Sequence, residues 1–123
     1  MEQIAEDMRA LQTIVTTNGS YDVLHAAHVH LLEKARKLGD SLIVLVNSDD
    51  SVRRAKGPTR PIIPEMERAE MLASLRPVDY VVIFPEDTPL NYLERIKPHI
   101  HVKGGSVDPA KLKDEVEFVS RWG

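Results

Sequence analysis

The sequence predicts one α/β domain built on a doubly wound parallel sheet with helices on both faces. Two observations predict it. Short apolar runs rich in β-branched residues recur along the chain, and the segments between them carry apolar side chains at helical spacing. Strands that are apolar nearly throughout, rather than at alternate positions, suit a parallel sheet covered on both sides. At 123 residues the chain has length for one core and not for two, so residues 1–123 are read as a single domain.

The elements follow in order. "EQIAEDMRALQ" places Ile4, Met8 and Leu11 on one side of an N-terminal helix, available for packing on its own sheet or on a second copy of the chain. "TIVTT" at 13–17 reads as the first strand, "LIVLV" at 42–46 as the second, "YVVIF" at 80–84 as the third and "HIHVK" at 99–103 as the fourth. Between the first two, "AAHVHLLEKARKLG" sets His28, Leu31, Leu32, Ala35 and Leu38 on one helical face, with Glu33, Lys34 and Lys37 turned away. Gly39 is expected to stop that helix in a left-handed cap. "NSDDSVRRAKGPTRP" reads as a loop with at most two helical turns, and "PEMERAEMLASL" as a helix that starts on proline and buries Met71, Leu72 and Leu75. "TPLNYLERIK" and "PAKLKDEVEFVSRW" supply two more helices.

Composition removes several classes of function. A net charge of −3 offers no broad basic field for a nucleic-acid backbone. With no cysteine there is no disulfide, thiolate zinc site or thiol nucleophile. "LIVLV" is far too short to cross a membrane, and the acidic start "MEQIAED" lacks the layout of a signal peptide, so a cytoplasmic location is expected.

In a doubly wound sheet, ligands bind beyond the carboxyl ends of the strands, which directs attention to residues 17–28, 47–60 and 103–106. In the first of these, Gly19 permits a tight turn, Asp22 precedes a helix start, and His25 and His28 fall on one side of its first turn. Two imidazoles at a helix N-terminus suit an anion such as phosphate. On the H-x-x-H spacing alone, a surface His25 and a core His28 fit as well, and so does a zinc pair, although no third ligand stands at a persuasive spacing. His30 falls off the buried stripe and is expected in solvent.

Taken together, "TNGSYDVLHAAH" resembles the T-x-G-x-F-D-x-x-H-x-G-H signature of the nucleotidyltransferase superfamily that includes cytidylyltransferases and heptose-phosphate adenylyltransferases. "ARKLGDSLIVLVNSDDSVRRAKGPTRPI", "ERAEMLASLRPVDYVVIF", "EDTP" and "VKGG" extend the likeness, in order, to the ADP-heptose synthase adenylyltransferase domain, with glycerol-3-phosphate-type cytidylyltransferases as looser relatives. Several separated matches over residues 14–105 are far more specific than one short motif.

The resemblance implies a Rossmann-like fold, commonly dimeric in the family, that moves AMP or CMP from ATP or CTP to a small phosphate- or phosphonate-bearing acceptor with Mg²⁺. It assigns His25, His28 and Lys56 to catalysis, with Arg53, Arg54 and Arg60 as weaker candidates beside Lys56. Thr17, Asn18, Gly19, Tyr21, Lys103, Gly104 and Gly105 would bind the nucleotide, and Asp22 and Arg68 the acceptor. Considered without the resemblance, Arg68 is equally an i,i+3 partner of Glu65, and the basic run around Lys56 equally a solvated face.

The sequence also departs from that pattern. Ala27 replaces the glycine between the histidines, Tyr21 replaces phenylalanine, and Ser106 stands where aspartate usually follows "KGG". The family's last strand and its G-x-S-T-T helix start are expected beyond Gly123, so that either the chain is part of a longer protein or the site is incomplete. A nucleotide-binding module without turnover is the competing class, favoured by those departures.

Overall fold

A computed structural model describes residues 12–103 and 116–118. The expected N-terminal helix, Gly104, Gly105 and Ser106 lie outside the described residues. Strands β1 (Ile14–Gly19), β2 (Ser41–Asn47), β3 (Tyr80–Phe84), β4 (Ile100–Lys103) and β5 (Val116–Phe118) form one sheet in the order β3-β2-β1-β4-β5. The first four run parallel, and β5 pairs antiparallel with β4. Residues 116–118 therefore correct the expected last helix, because their backbone completes the open edge of β4.

Among the described residues four helices accompany the strands: α1 (Ala26–Arg36), α2 (Asp49–Lys56), α3 (Glu65–Ala73) and α4 (Leu90–Ile96). The sheet buries both faces, as the apolar strands require. Leu42, Val44 and Val46 of β2 join Val15, Leu31, Leu32, Ala35 and Leu72 in one core, beneath α1 and α3. The intervening Ile43 and Leu45 join Ile14, Phe84, Leu93 and Ile96 in a second core under α4. This alternation within one continuous apolar run is what a strand covered on both sides shows.

Helix α1 buries Leu31, Leu32 and Ala35 as its spacing predicts, while His28 is half-buried and Leu38 is exposed. It ends at Lys37, whose φ is −71°, and Gly39 is not in the left-handed region. What Gly39 supplies is room: an added Cβ would lie 2.6 Å from the Thr13 carbonyl oxygen. Gly57, with φ of 102°, is the glycine that a backbone conformation demands, at the C-terminus of α2. In α3 the buried residues are Arg68 and Leu72, whereas Met71 is 53% exposed, so the expected apolar face is displaced toward a buried guanidinium.

The order β3-β2-β1-β4 places the reversal of winding between β1 and β4. The crevice beyond β1 is thus where this fold accommodates ligands.

Candidate active site

A cavity of about 840 Å³ opens beyond the ends of β1 and β2. It brings together Asn18, Gly19, Tyr21, Asp22, His25, His28 and Lys56, and adds Arg60, Ser20 and Asn47 to them.

The two histidines are held by the helix they begin. His25 is the N-cap of α1, and its Nδ1 accepts from the Ala27 N–H at 3.2 Å. His28 Nδ1 accepts in turn from the His25 N–H at 3.2 Å, a capping box made from two imidazoles. A ring nitrogen that accepts carries no proton, so in each neutral ring the proton sits on Nε2. Both rings line the cavity, their centroids 4.1 Å apart, and His28 meets Tyr21 edge-on at 5.4 Å. Burial, with the nearby charges of His25 and Lys56, lowers the His28 pKa, so His28 is neutral near pH 7. The paired Nε2–H groups and the helix N-terminus give this wall donors for an anion. Ala27 has helical backbone conformation, where alanine is favoured over glycine.

Helix α2 brings the cations. Ser48 caps it, Asp49 and Asp50 occupy its first turn, and Arg53, Arg54 and Lys56 its last, a distribution that matches the helix dipole. Lys56 Nζ donates to Ser20 Oγ at 2.8 Å, which holds the ammonium across the cavity from α1. Arg53 pairs with Asp50, and Arg54 with Asp87; neither lines the cavity.

Asp22 lines the cavity, and its carboxylate is occupied by the segment that follows α2. Its carboxylate accepts from Ile62 N at 2.8 Å and Ile63 N at 2.9 Å, with Arg60 at 3.4 Å. Burial alone would raise its pKa, but the Ile63 and Ile62 N–H groups and Arg60 outweigh burial and hold it below the usual carboxylate value. The effect is to dock the 57–63 segment, and Arg60 with it, over the cavity.

Arg68 and Thr17 do not line this cavity, and Arg68 lines a second one of about 310 Å³ together with Asp22. Arg68 is 1% exposed, and donates to the carbonyls of Ile63, Ser20 and Asn47 and to Asp49 Oδ1. Its guanidinium clamps the loops after β1 and β2 to the start of α3, and does not line the cavity. Thr17 is fully buried, and its hydroxyl is spent on the Val102 carbonyl at 2.7 Å, tying β1 to β4. Lys103 pairs in register with Asn18 at the end of β4.

A family model described as cytidylyltransferase-like matches residues 16–123. The chain belongs to the cytidylyltransferase-like family. Within it, the chain is similar to the bifunctional protein HldE of Syntrophotalea carbinolica, with 52% identity over 113 residues, 90% of this chain and 23% of that protein. Similarity to the bifunctional protein HldE of Pelobacter propionicus is 59% over 110 residues, 89% of this chain and 22% of that protein. The chain thus spans under a quarter of the length of these curated relatives. The crystal structure of the lipopolysaccharide core biosynthesis protein from Thermoplasma volcanium superposes with a TM-score of 0.70 at 30% identity, covering 84% of each chain.

Some of what holds the cavity together left no motif in the sequence. Ser20, the partner of Lys56, is an ordinary turn residue in sequence. His101, read only as part of a strand, reaches across to Thr16 and Asn18 on β1, which no local pattern could signal.

Proposed function

We propose that this domain transfers AMP or CMP from a nucleoside triphosphate to the phosphate of a small acceptor, releasing pyrophosphate. The observation that supports this reading best is the capping box. It sets the His25 and His28 rings, each with its Nδ1 occupied, on a cavity also lined by Lys56 and Arg60. An acceptor phosphate oxygen attacks the α-phosphorus, the bond from that phosphorus to the oxygen bridging it to the β-phosphate breaks, and the electron pair leaves with pyrophosphate. The nucleophile is already ionised, so no general base is required. What the protein supplies is alignment and stabilisation of developing phosphate charge.

In this reading His25 and His28 donate to phosphate oxygens, Lys56 neutralises charge on the departing pyrophosphate, and Gly19 lets the ligand approach the β1 backbone. Asp22 acts on the acceptor side indirectly, by holding the 57–63 segment. Among the described residues no three His, Asp or Glu side chains converge as a metal cage. Mg²⁺ would enter as part of the triphosphate substrate, a common mode for this cation.

The identity with the HldE proteins supports a sugar phosphate such as heptose 1-phosphate as acceptor and ATP as donor. The family description supports a second reading, CTP with a polyol phosphate or small phosphonate. Pyrophosphate release measured with each donor and acceptor decides between them. Loss of about a hundredfold or more in kcat/KM for His28→Ala is expected for a donor to a developing oxyanion. Binding of nucleotide with no release from any pair would leave the non-catalytic module as the answer. None of the described helices is long and apolar enough to cross a membrane. A cytoplasmic homodimer fits the use of nucleoside triphosphates and the habit of the family, and sedimentation as a monomer would remove the dimer.

A further inference from the structure

The residue after the buried Thr17 on β1 is Asn18, whose side chain lines the cavity. Its carboxamide oxygen lies 3.1 Å from His101 Nε2 on the neighbouring strand β4, and His101 Nδ1 lies 2.8 Å from the hydroxyl of Thr16. The parallel register sets this up: Thr16 is paired with His101, so Thr16 and Asn18, two apart on one face of β1, flank the imidazole. A carboxamide oxygen only accepts. His101 therefore carries its proton on Nε2, and its Nδ1 accepts from Thr16, which is fully buried and fixed in the sheet.

This relay removes the rotational ambiguity of an amide at a ligand site. With Oδ1 taken by His101, the amide NH₂ makes no hydrogen bond among the described residues and remains for whatever enters the cavity. We propose that His101 is a positioning residue, which orients Asn18 so that its NH₂ donates to a phosphate oxygen of the bound nucleotide. An unrestrained asparagine would present oxygen or nitrogen with comparable ease, and its oxygen would repel a phosphate. The inference rests on the nucleotidyltransferase reading and adds to it a residue outside the cavity.

The test is a double-mutant cycle. Mg-ATP and Mg-CTP are titrated calorimetrically into the 123-residue protein, His101→Ala, Asn18→Ala and the double variant, with the Tm of each recorded. Loss of a hydrogen bond to a charged group predicts about tenfold weaker binding for His101→Ala. No further loss is expected when Asn18 is already alanine, and His101→Gln, which still offers an N–H to Asn18, should recover most of the affinity. Asn18→Asp, which sets oxygen against phosphate, should bind more weakly than Asn18→Ala. Equal losses in both backgrounds, or Asn18→Asp binding as well as Asn18→Ala, would overturn the positioning role while nucleotide binding stands. Failure of the unaltered protein to bind either nucleotide would overturn the nucleotidyltransferase reading and this inference with it.

Discussion

Asp49 and Glu65 cap each other's helices. The Asp49 N–H donates to Glu65 Oε1 and the Glu65 N–H to Asp49 Oδ1, both at 2.8 Å, so the N-termini of α2 and α3 share one closed pair of bonds. Arg68 donates to the same Asp49 oxygen. The helix that carries Lys56 is thereby fastened to the helix that carries Arg68, and the cavity wall is held by residues that do not touch its contents. Asp49→Ala removes a cap and leaves a buried guanidinium short of its anion, and should cost about 2–4 kcal/mol in urea denaturation. Glu65→Ala removes only one cap, and about 1 kcal/mol is expected.

Replacement of Arg68 separates a clamp from an acceptor ligand. Arg68→Ala strands three carbonyls and the Asp49 carboxylate, and a cost of about 3–5 kcal/mol is expected, with activity lost in step with folding. Arg68→Lys, a point charge with no planar fork, should rescue little. A stable Arg68→Lys variant with a raised acceptor KM and an unchanged Tm would restore the direct contact expected from sequence.

The histidine cap makes stability fall in mild acid. The His28 pKa is lowered in the folded protein, so the unfolded chain takes up a proton first as pH drops. Its contribution is complete above the ordinary histidine value near 6.5 and is lost as pH falls through the lower folded value. Protonation at Nδ1 also breaks the bond from the His25 N–H. Melting curves should shift downward as pH falls below about 6.5 in the unaltered protein, and less so in His28→Gln. Equal shifts in both would place the acid sensitivity elsewhere.

Much of this architecture was legible because it is periodic. The run "LIVLV" feeds two cores at once, and no other element type explains an apolar segment that short and that continuous. The helix start at His25 was equally legible, since cap, turn and dipole are local. Arg68 and Met71 were not: an arginine in a helix reads as solvated until four acceptors from three loops converge on it, and its burial is what leaves Met71 outside. In sequence Gly39 reads as a cap for its conformational freedom, whereas the constraint is the Thr13 carbonyl, 26 residues earlier. A longer separation hid His101, whose partners on β1 lie 85 and 83 residues earlier.

Glycine 39 gives a direct check of that correction. A methyl group there meets backbone oxygen at 2.6 Å and the Val15 side chain at 2.8 Å, and neither can yield without moving β1. Gly39→Ala should destabilise by about 1–3 kcal/mol by overpacking. A left-handed cap would instead tolerate Gly39→Asn nearly as well as glycine, so a Gly39→Asn variant of native stability would reinstate it.

Tyr21 offers the opposite expectation, a deletion that helps. The side chain is 6% exposed, its backbone adopts φ of 50°, and its ring lies against Gly19, where an added Cβ would come within 3.0 Å of it. The hydroxyl is buried and meets no hydrogen-bond partner among the described residues. Burial pushes its pKa up to about 12, with only a small opposing pull from the Thr17 hydroxyl, whose own proton goes to Val102. A phenol in that state neither gives nor takes a proton at neutral pH, and an unpaired buried hydroxyl costs free energy in the folded protein. Tyr21→Phe, the residue that the family signature carries here, should therefore stabilise the protein by about 1 kcal/mol. A lower Tm for Tyr21→Phe than for the unaltered protein would overturn this expectation.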